Sequence, residues 1–326
     1  MSALRHIRVL SDGRPGHENQ SVGLALALAK RTGAIHEVLR MDPASPSWQR
    51  MKRAAAVPAA VNYWPDLIIA AGHRLHVPLW WTGRRFGAKT VVIMTPSLPL
   101  RAFDLALVPQ HDAPNAVDTE RRILTKGALN RVPEDREAKT DLGLILIGGP
   151  SKHHGWDGAR LAAMIARAAA SQPELSWTVA DSRRTPEGFL DGLVVSAAVR
   201  KVPHQQTQPG WLAGELAKAR VVWVTADSVS MVHEAATAGA ATGVFPVPLG
   251  SDGGGRPQRA VDNLIAEGLA TDFAAWERAG GPALRMKPGA ALHEAGRCAD
   301  LIMARWFTSP ATEMKTKTLP CGDILS

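Results

Sequence analysis

Apolar residues along this chain gather into short unbroken runs, and between the runs lie longer stretches whose apolar positions recur at helical spacing. In the first part the runs cover residues 7–10, 35–41, 67–71, 90–94, 105–108 and 123–125. A polar stretch at 130–139 then reads as a linker. After it the rhythm restarts, with runs at 142–147, 177–180, 194–202, 221–225 and 242–247. Helices are predicted near 16–31, 157–170, 209–219, 230–238, 256–267 and 290–306. Runs this rich in Val, Ile and Leu, with little alternation, belong to parallel sheets covered by helices on both faces. The expectation is an α/β chain of two Rossmann-like, doubly wound domains at 1–138 and 139–307. An aperiodic tail, 308–326, is expected to be mobile.

Composition changes that picture little; charge changes it more. A chain of 326 residues, 45% hydrophobic, can bury two cores. Cys298 and Cys321 have no CxxC spacing, which removes a disulfide framework and a zinc ribbon from consideration. No signal-peptide pattern opens the chain and no apolar run reaches bilayer-spanning length, so a cytoplasmic protein is expected. The net charge of +8 is one-sided: residues 1–140 carry 20 Lys+Arg against 12 Asp+Glu, and the remainder carries 18 against 18. Within the basic part, Trp80, Trp81, Arg84, Arg85 and Phe86 mix rings and cations as lipid headgroup boundaries do. The expected partner is an anionic membrane surface on its inner face, with core packing of the same helix as the alternative. No motif for reading nucleic acid accompanies the charge, so nucleic acid is not an expected partner.

The chemistry sits where runs end. The loop from Ser11 to Gln20 follows the first run and opens the first helix. Gly13 and Gly16 let backbone N–H groups approach an anion, and Asp12, Arg14, His17 and Glu18 crowd acid, base and cation into seven residues. In the second part four strand-end positions stand out. Gly148-Gly149-Pro150-Ser151 is a glycine turn without Walker A or GxGxxG spacing. Arg183 and Arg184 begin the next helix, where paired guanidinium groups suit phosphate. Gln205, in an amide-rich stretch, can hydrogen-bond a base edge. The strongest position runs from Val221 to Gly239: Asp227, Ser228 and Ser230 stand at a helix start, and Glu234 follows one turn beyond Ser230 on the same face. Asp227 or Ser228 can also serve as a plain N-cap.

These two motifs, Ser11–Gln20 and the segment Ala226-Asp227-Ser228-Val229-Ser230-Met231-Val232-His233-Glu234-Ala235-Ala236, resemble the elongated-mitochondria family of fission-related proteins. Its bacterial members are often labelled nucleoside-diphosphate-sugar epimerases. With Gly148-Gly149-Pro150 the resemblance reaches to about Phe307. It implies a GT-B-like fold, two Rossmann-like domains facing across a cleft. Within that superfamily the chain looks most like the transferase that adds N-acetylglucosamine to a lipid-linked peptidoglycan precursor. Gly13, Gly16 and His17 match that enzyme's acceptor loop, and Glu234 matches the glutamate that holds the donor ribose. Arg14-Pro15 replaces small residues there, a departure that bears on the acceptor.

The expectation is therefore a nucleotide-sugar-dependent glycosyltransferase with a lipid-linked or cell-envelope acceptor. A nucleotide-sugar 2-epimerase and a non-catalytic membrane-associated protein are the alternatives. His17 is the candidate base, with Asp12 or Glu18 as orienter or rival base. Gly148, Gly149, Ser151, Arg183, Ser228 and Ser230 are candidates for the diphosphate. No Asp-x-Asp pair exists, so neither a metal nor another cofactor is expected. His73 and His76, three apart, lack a third ligand nearby and read as surface or core residues.

Overall fold

The computed structural model describes residues 3–42, 44–56, 64–134, 138–196, 199–208, 210–286 and 292–307. The expected helix starts at 209 and 290, linker residues 135–137 and the tail from 308 lie outside the described residues.

Each run becomes a strand, and most of these strands are buried. The first sheet holds β1 (His6–Ser11), β2 (Ile35–Arg40), β3 (Leu67–Ala71), β4 (Lys89–Ile93), β5 (Leu105–Pro109) and β6 (Arg122–Thr125). They pair in parallel in the order β2-β1-β3-β4-β5-β6. The second sheet holds β7 (Thr140–Leu146), β8 (Ser176–Ala180), β9 (Arg200–Val202), β10 (Ala219–Thr225), β11 (Ala241–Phe245) and β12 (Thr271–Asp272). Its order, again parallel, is β12-β11-β10-β7-β8-β9. The helices are α1 (Pro15–Thr32), α2 (Ser47–Ala54), α3 (His76–Phe86), α4 (Gly158–Ala170), α5 (Phe189–Gly192), α6 (Trp211–Lys218), α7 (Val229–Thr237), α8 (Gly255–Ala266), α9 (Phe273–Arg278) and α10 (Glu294–Trp306). The α/β class expected from the pattern is the fold observed.

Three local readings change. The run at 194–202 contributes only β9, an edge strand paired with β8 alone; Val194 is largely exposed. Residues 130–134 are not a solvated linker. Asn130 is buried, donates its side-chain amide to Thr237 Oγ1 at 2.9 Å and accepts the Val132 N–H at 3.1 Å. Glu134 takes Arg31 at 2.9 Å. Polar composition misleads here because each polar group meets a partner from a distant part of the chain.

The third change concerns α10, which the sequence places with the second part. Its Cys298, Ala299 and Ile302, with Phe307 beyond, join Leu24, Leu28, Val91 and Ile93 in the core of the first sheet. The helix lies along α1, and Arg31 holds Asp300 through Nε at 2.6 Å and Nη2 at 3.1 Å. Burial pushes the Cys298 thiol up to about 12, so it behaves as an apolar group. Periodicity shows that α10 has an apolar face, not which sheet covers it.

Gly23, on the buried face of α1, marks where the chain enters the second domain. A Cβ there would overlap the Asn130 carbonyl. Gly23→Ala therefore has to push α1 from the 130–134 segment, at a cost of about 1–3 kcal/mol. A melting temperature several degrees lower is expected by calorimetry; an unchanged value refutes this close approach.

Candidate active site

In a doubly wound sheet the crevice lies beyond the carboxyl ends of the strands, where crossovers leave in opposite directions. That point falls between β1 and β3 in the first sheet and between β7 and β10 in the second. Both crevices hold loops that the sequence singles out.

At the first, Gly13 turns the chain with φ +76°, a conformation that favours glycine. Asp12 is buried, accepts the Arg14 N–H at 3.2 Å and faces Nδ1 of His17 at 3.0 Å and 3.2 Å. Gly72, with φ +99°, ends β3 against the same ring; a Cβ on it would lie 2.5 Å from His17 Nδ1. A carboxylate at Nδ1 favours the tautomer that leaves Nε2 with its lone pair. His17 itself stays one-fifth exposed.

Glu18 has a different task. It accepts Ser11 Oγ at 2.7 Å, two nitrogens of Arg40 at 2.9 Å and 3.0 Å, and Arg131 at 3.1 Å. The hydrogen bonds from Arg40, then those from Ser11 and Arg131, outweigh burial and hold its carboxyl down to about 2. Such a group is a poor proton acceptor at neutral pH. Of the two acids considered for His17, the structure places Asp12 beside it.

At the second crevice Gly148 donates to Thr225 Oγ1 at 2.8 Å and Gly149 to Asp227 Oδ2 at 2.9 Å. The same oxygen meets Arg184 at 2.7 Å, and Arg184 also donates to the Gly149 carbonyl at 2.8 Å. A Cβ on Gly148 would overlap the Asp227 carboxylate, and one on Gly149 the Arg184 backbone. Asp227 is thus the clasp of this loop pair. Both Arg183 and Arg184 are exposed, and Arg184 is the one that reaches Asp227. Ser151 Oγ folds back to accept the N–H groups of His153 and His154 at 3.2 Å and 3.1 Å. Ser228 precedes α7 without a side-chain cap, and Ser230 is exposed. Gln205 is exposed on a one-turn helix beside the His204–Asp181 contact of 3.0 Å.

Between the two sheets lies a cleft of about 660 Å³. Gly13, Gly16, Asn19, Arg40 and Arg131 line one wall, and Ser230 and Glu234 the other. Asn19 donates to Glu234 across it at 2.8 Å. Burial pushes the Glu234 carboxyl up to about 7 against the opposing effects of Asn19 and Arg131. His17 does not line this cavity; its ring lies against Gly72. Arg14 stands exposed at the loop, 3.8 Å from Asp12.

The aromatic and cationic segment lies elsewhere. Trp80 packs half-buried on the apolar cluster of Leu75, Leu79, Val92 and Phe103, Arg84 lies 5.3 Å above its ring, and Arg84 belongs to the last turn of α3. His76 is a core residue: it is buried, contacts Ser97 Oγ at 2.7 Å and is held down to about 4 by burial.

Sequence reasoning missed Gly72, Asn19, Arg40 and Arg131 as parts of the site, and it took Arg183 of the Arg183-Arg184 pair as the site residue. Gly72 was readable as a glycine directly after a buried run. Asn19 and Arg131 acquire meaning only once the two domains are brought together.

Two doubly wound parallel domains with paired strand-end crevices define a GT-B-like fold. The chain belongs to the mitochondrial fission ELM1 family, whose sequence model matches residues 15–306. It is 24% identical to the uncharacterized protein RP120 of Rickettsia prowazekii (strain Madrid E), over 74% of this chain and 84% of that protein. Among solved structures it is similar to a Listeria monocytogenes protein assigned as a UDP-N-acetylglucosamine 2-epimerase, with TM-score 0.56 and 14% identity, covering 99% of this chain and 100% of that one. It is also similar to the S. aureus MnaA structure with UDP, with TM-score 0.51 and 11% identity over 92% and 95% of the two chains. The glycotransferase of kitacinnamycin gives TM-score 0.50 and 17% identity over 93% and 99%. At these identities the likeness is one of fold.

The raised Glu234 carboxyl carries a pH signature. Its folded pKa of about 7 lies above the ordinary 4.5, so the folded chain binds more protons between those values and stability falls as pH rises through the window. Glu234→Gln keeps the acceptor for Asn19 and removes the titration. The unfolding free energy of the variant minus that of the wild type is expected to grow from pH 4.5 to 7.5 and then level, by about 3 kcal/mol. Parallel curves would show that Glu234 does not titrate in this range.

Proposed function

We propose that this chain is a nucleotide-sugar-dependent glycosyltransferase, with the acceptor at the first crevice and the donor at the second. The observation that carries the reading is the His17–Asp12 pair, set against Gly72 at the winding reversal of the first sheet. His17 Nε2 takes the proton of an acceptor hydroxyl as its oxygen bonds to the anomeric carbon, and the bond from that carbon to the diphosphate breaks. Asp12 steadies the resulting imidazolium. The departing diphosphate is received by N–H groups at the start of α7, by the Ser151 hydroxyl and by the Arg184 guanidinium. Glu234 exchanges its Asn19 partner for the ribose hydroxyls of the donor. The absence of any Asp-x-Asp pair supports a reaction without a metal. The basic first domain supports an acceptor that carries anionic phosphate on a lipid at the inner face of a membrane.

Calorimetry with UDP and UDP-N-acetylglucosamine, ligands named for structures of the same fold, is the first test. Glu234→Gln is expected to weaken nucleotide binding by about 1–3 kcal/mol while the variant stays folded. Unchanged affinity would remove Glu234 from the donor site.

His17→Ala is expected to lower turnover by about 10²–10⁴ with nucleotide affinity nearly intact, and turnover of the wild type is expected to survive EDTA. Wild-type turnover in His17→Ala defeats the assignment of the base. Conversion of the nucleotide-sugar to its 2-epimer without acceptor would identify an epimerase instead.

A further inference from the structure

We infer that the first domain carries a second anion site, at the end of its sheet opposite the cleft, built to take a phosphate group. The site is a pocket of about 350 Å³ between the last turn of α3, the start of β4 and the segment before β5. Five-residue strands place it about 17 Å from the strand ends that face the cleft. Arg84, Lys89, Arg101 and Arg121 line it, with one carboxylate, Asp104.

That carboxylate is already engaged. Asp104 Oδ2 accepts the Thr90 N–H and Oγ1–H, both at 2.9 Å, and Oδ1 lies 3.3 Å from Lys89 Nζ. Lys89 also stands 5.4 Å over the Trp306 ring, which fixes it at the rim. Arg84, Arg101 and Arg121 have no carboxylate within 4 Å among the described residues. Arg84 rests on Trp80, and Arg121 uses Nη1 on the Phe103 carbonyl at 3.1 Å, so both heads are held in place with donors left over.

Three guanidinium groups without counter-charges around one small cavity repel one another and make a strong positive potential inside it. A tetrahedral oxyanion relieves that repulsion, and the planar donor fork of arginine matches its oxygens in pairs. The volume admits a phosphate or a diphosphate with a small substituent, and not a whole nucleotide-sugar buried on all sides. The shared chemistry is a phosphate group, carried either by a soluble molecule or by a lipid headgroup.

The test uses the full chain and three probes: inorganic pyrophosphate, vesicles of phosphatidylcholine, and the same vesicles with phosphatidate added. The variants are Arg101→Gln alone and the triple variant R84Q/R101Q/R121Q. All three side chains are exposed, so unchanged folding is expected and is checked by melting temperature. Wild type is expected to bind pyrophosphate or phosphatidate vesicles, and not phosphatidylcholine alone. The triple variant is expected to lose about tenfold or more in affinity, with Arg101→Gln intermediate. Pyrophosphate binding that depends on these arginines, without vesicle binding, assigns a soluble ligand; arginine-dependent vesicle binding assigns a headgroup. Equal binding by wild type and triple variant, or no binding by wild type to either probe, overturns the site. Should the triple variant fail to fold, wild-type affinity in Arg101→Gln overturns it equally.

Discussion

Where each sheet reverses its winding decides everything else about this molecule. Parallel strands covered on both faces leave few side chains free along their length, so the candidate active site is assembled at their carboxyl ends. The crossovers part between β1 and β3 and again between β7 and β10, and only there do two strand-end loops lie side by side with space above them. The chain exploits both places in the same way. A buried aspartate leaves the first loop of each pair or reaches it from the second: Asp12 toward His17, and Asp227 toward Gly149. Glycine on the facing loop makes room, Gly72 in one case and Gly148 in the other.

Electrostatics then divides the acids by their surroundings, not by their chemistry. Glu18 and Glu234 face the same cleft, yet one is held to about 2 by guanidinium groups and the other is lifted to about 7 by burial. The difference follows from geometry. Arg40 arrives from the end of β2 and Arg131 from the interdomain segment, and both reach Glu18 directly, whereas among the described residues Glu234 has the neutral amide of Asn19 as its side-chain hydrogen-bond partner. An ionised cleft wall and a titratable one thus come from a few ångströms of displacement.

The fold was legible in the sequence because short apolar runs report burial directly, and each run became a strand, the one at 194–202 only in its last residues. The loops at Ser11–Gln20 and Ala226–Ala236 were legible because glycines and clustered polar residues directly follow such runs. What was illegible is what depends on distant partners. Arg183 and Arg184 are indistinguishable as neighbours in a sequence, and only the position of Asp227 selects the second. Glu18 looks like a helix-start acid beside His17 until Arg40 and Arg131 are seen to bind it. The polar stretch after Leu129 resembles a linker because nothing local reveals Thr237 or Arg31 as its partners.

The return of α10 to the first sheet sets an order of events during synthesis. A chain emerging from the ribosome presents β1 to β6 long before Cys298, Ala299, Ile302 and Phe307 exist, so the first core has an uncovered apolar face while the second domain is being made. At about 5–20 residues per second, the interval between residue 130 and residue 307 lasts roughly ten to thirty-five seconds. The first-made half is therefore completed late, and the groove beside α1 keeps its apolar face uncovered by the chain until α10 arrives.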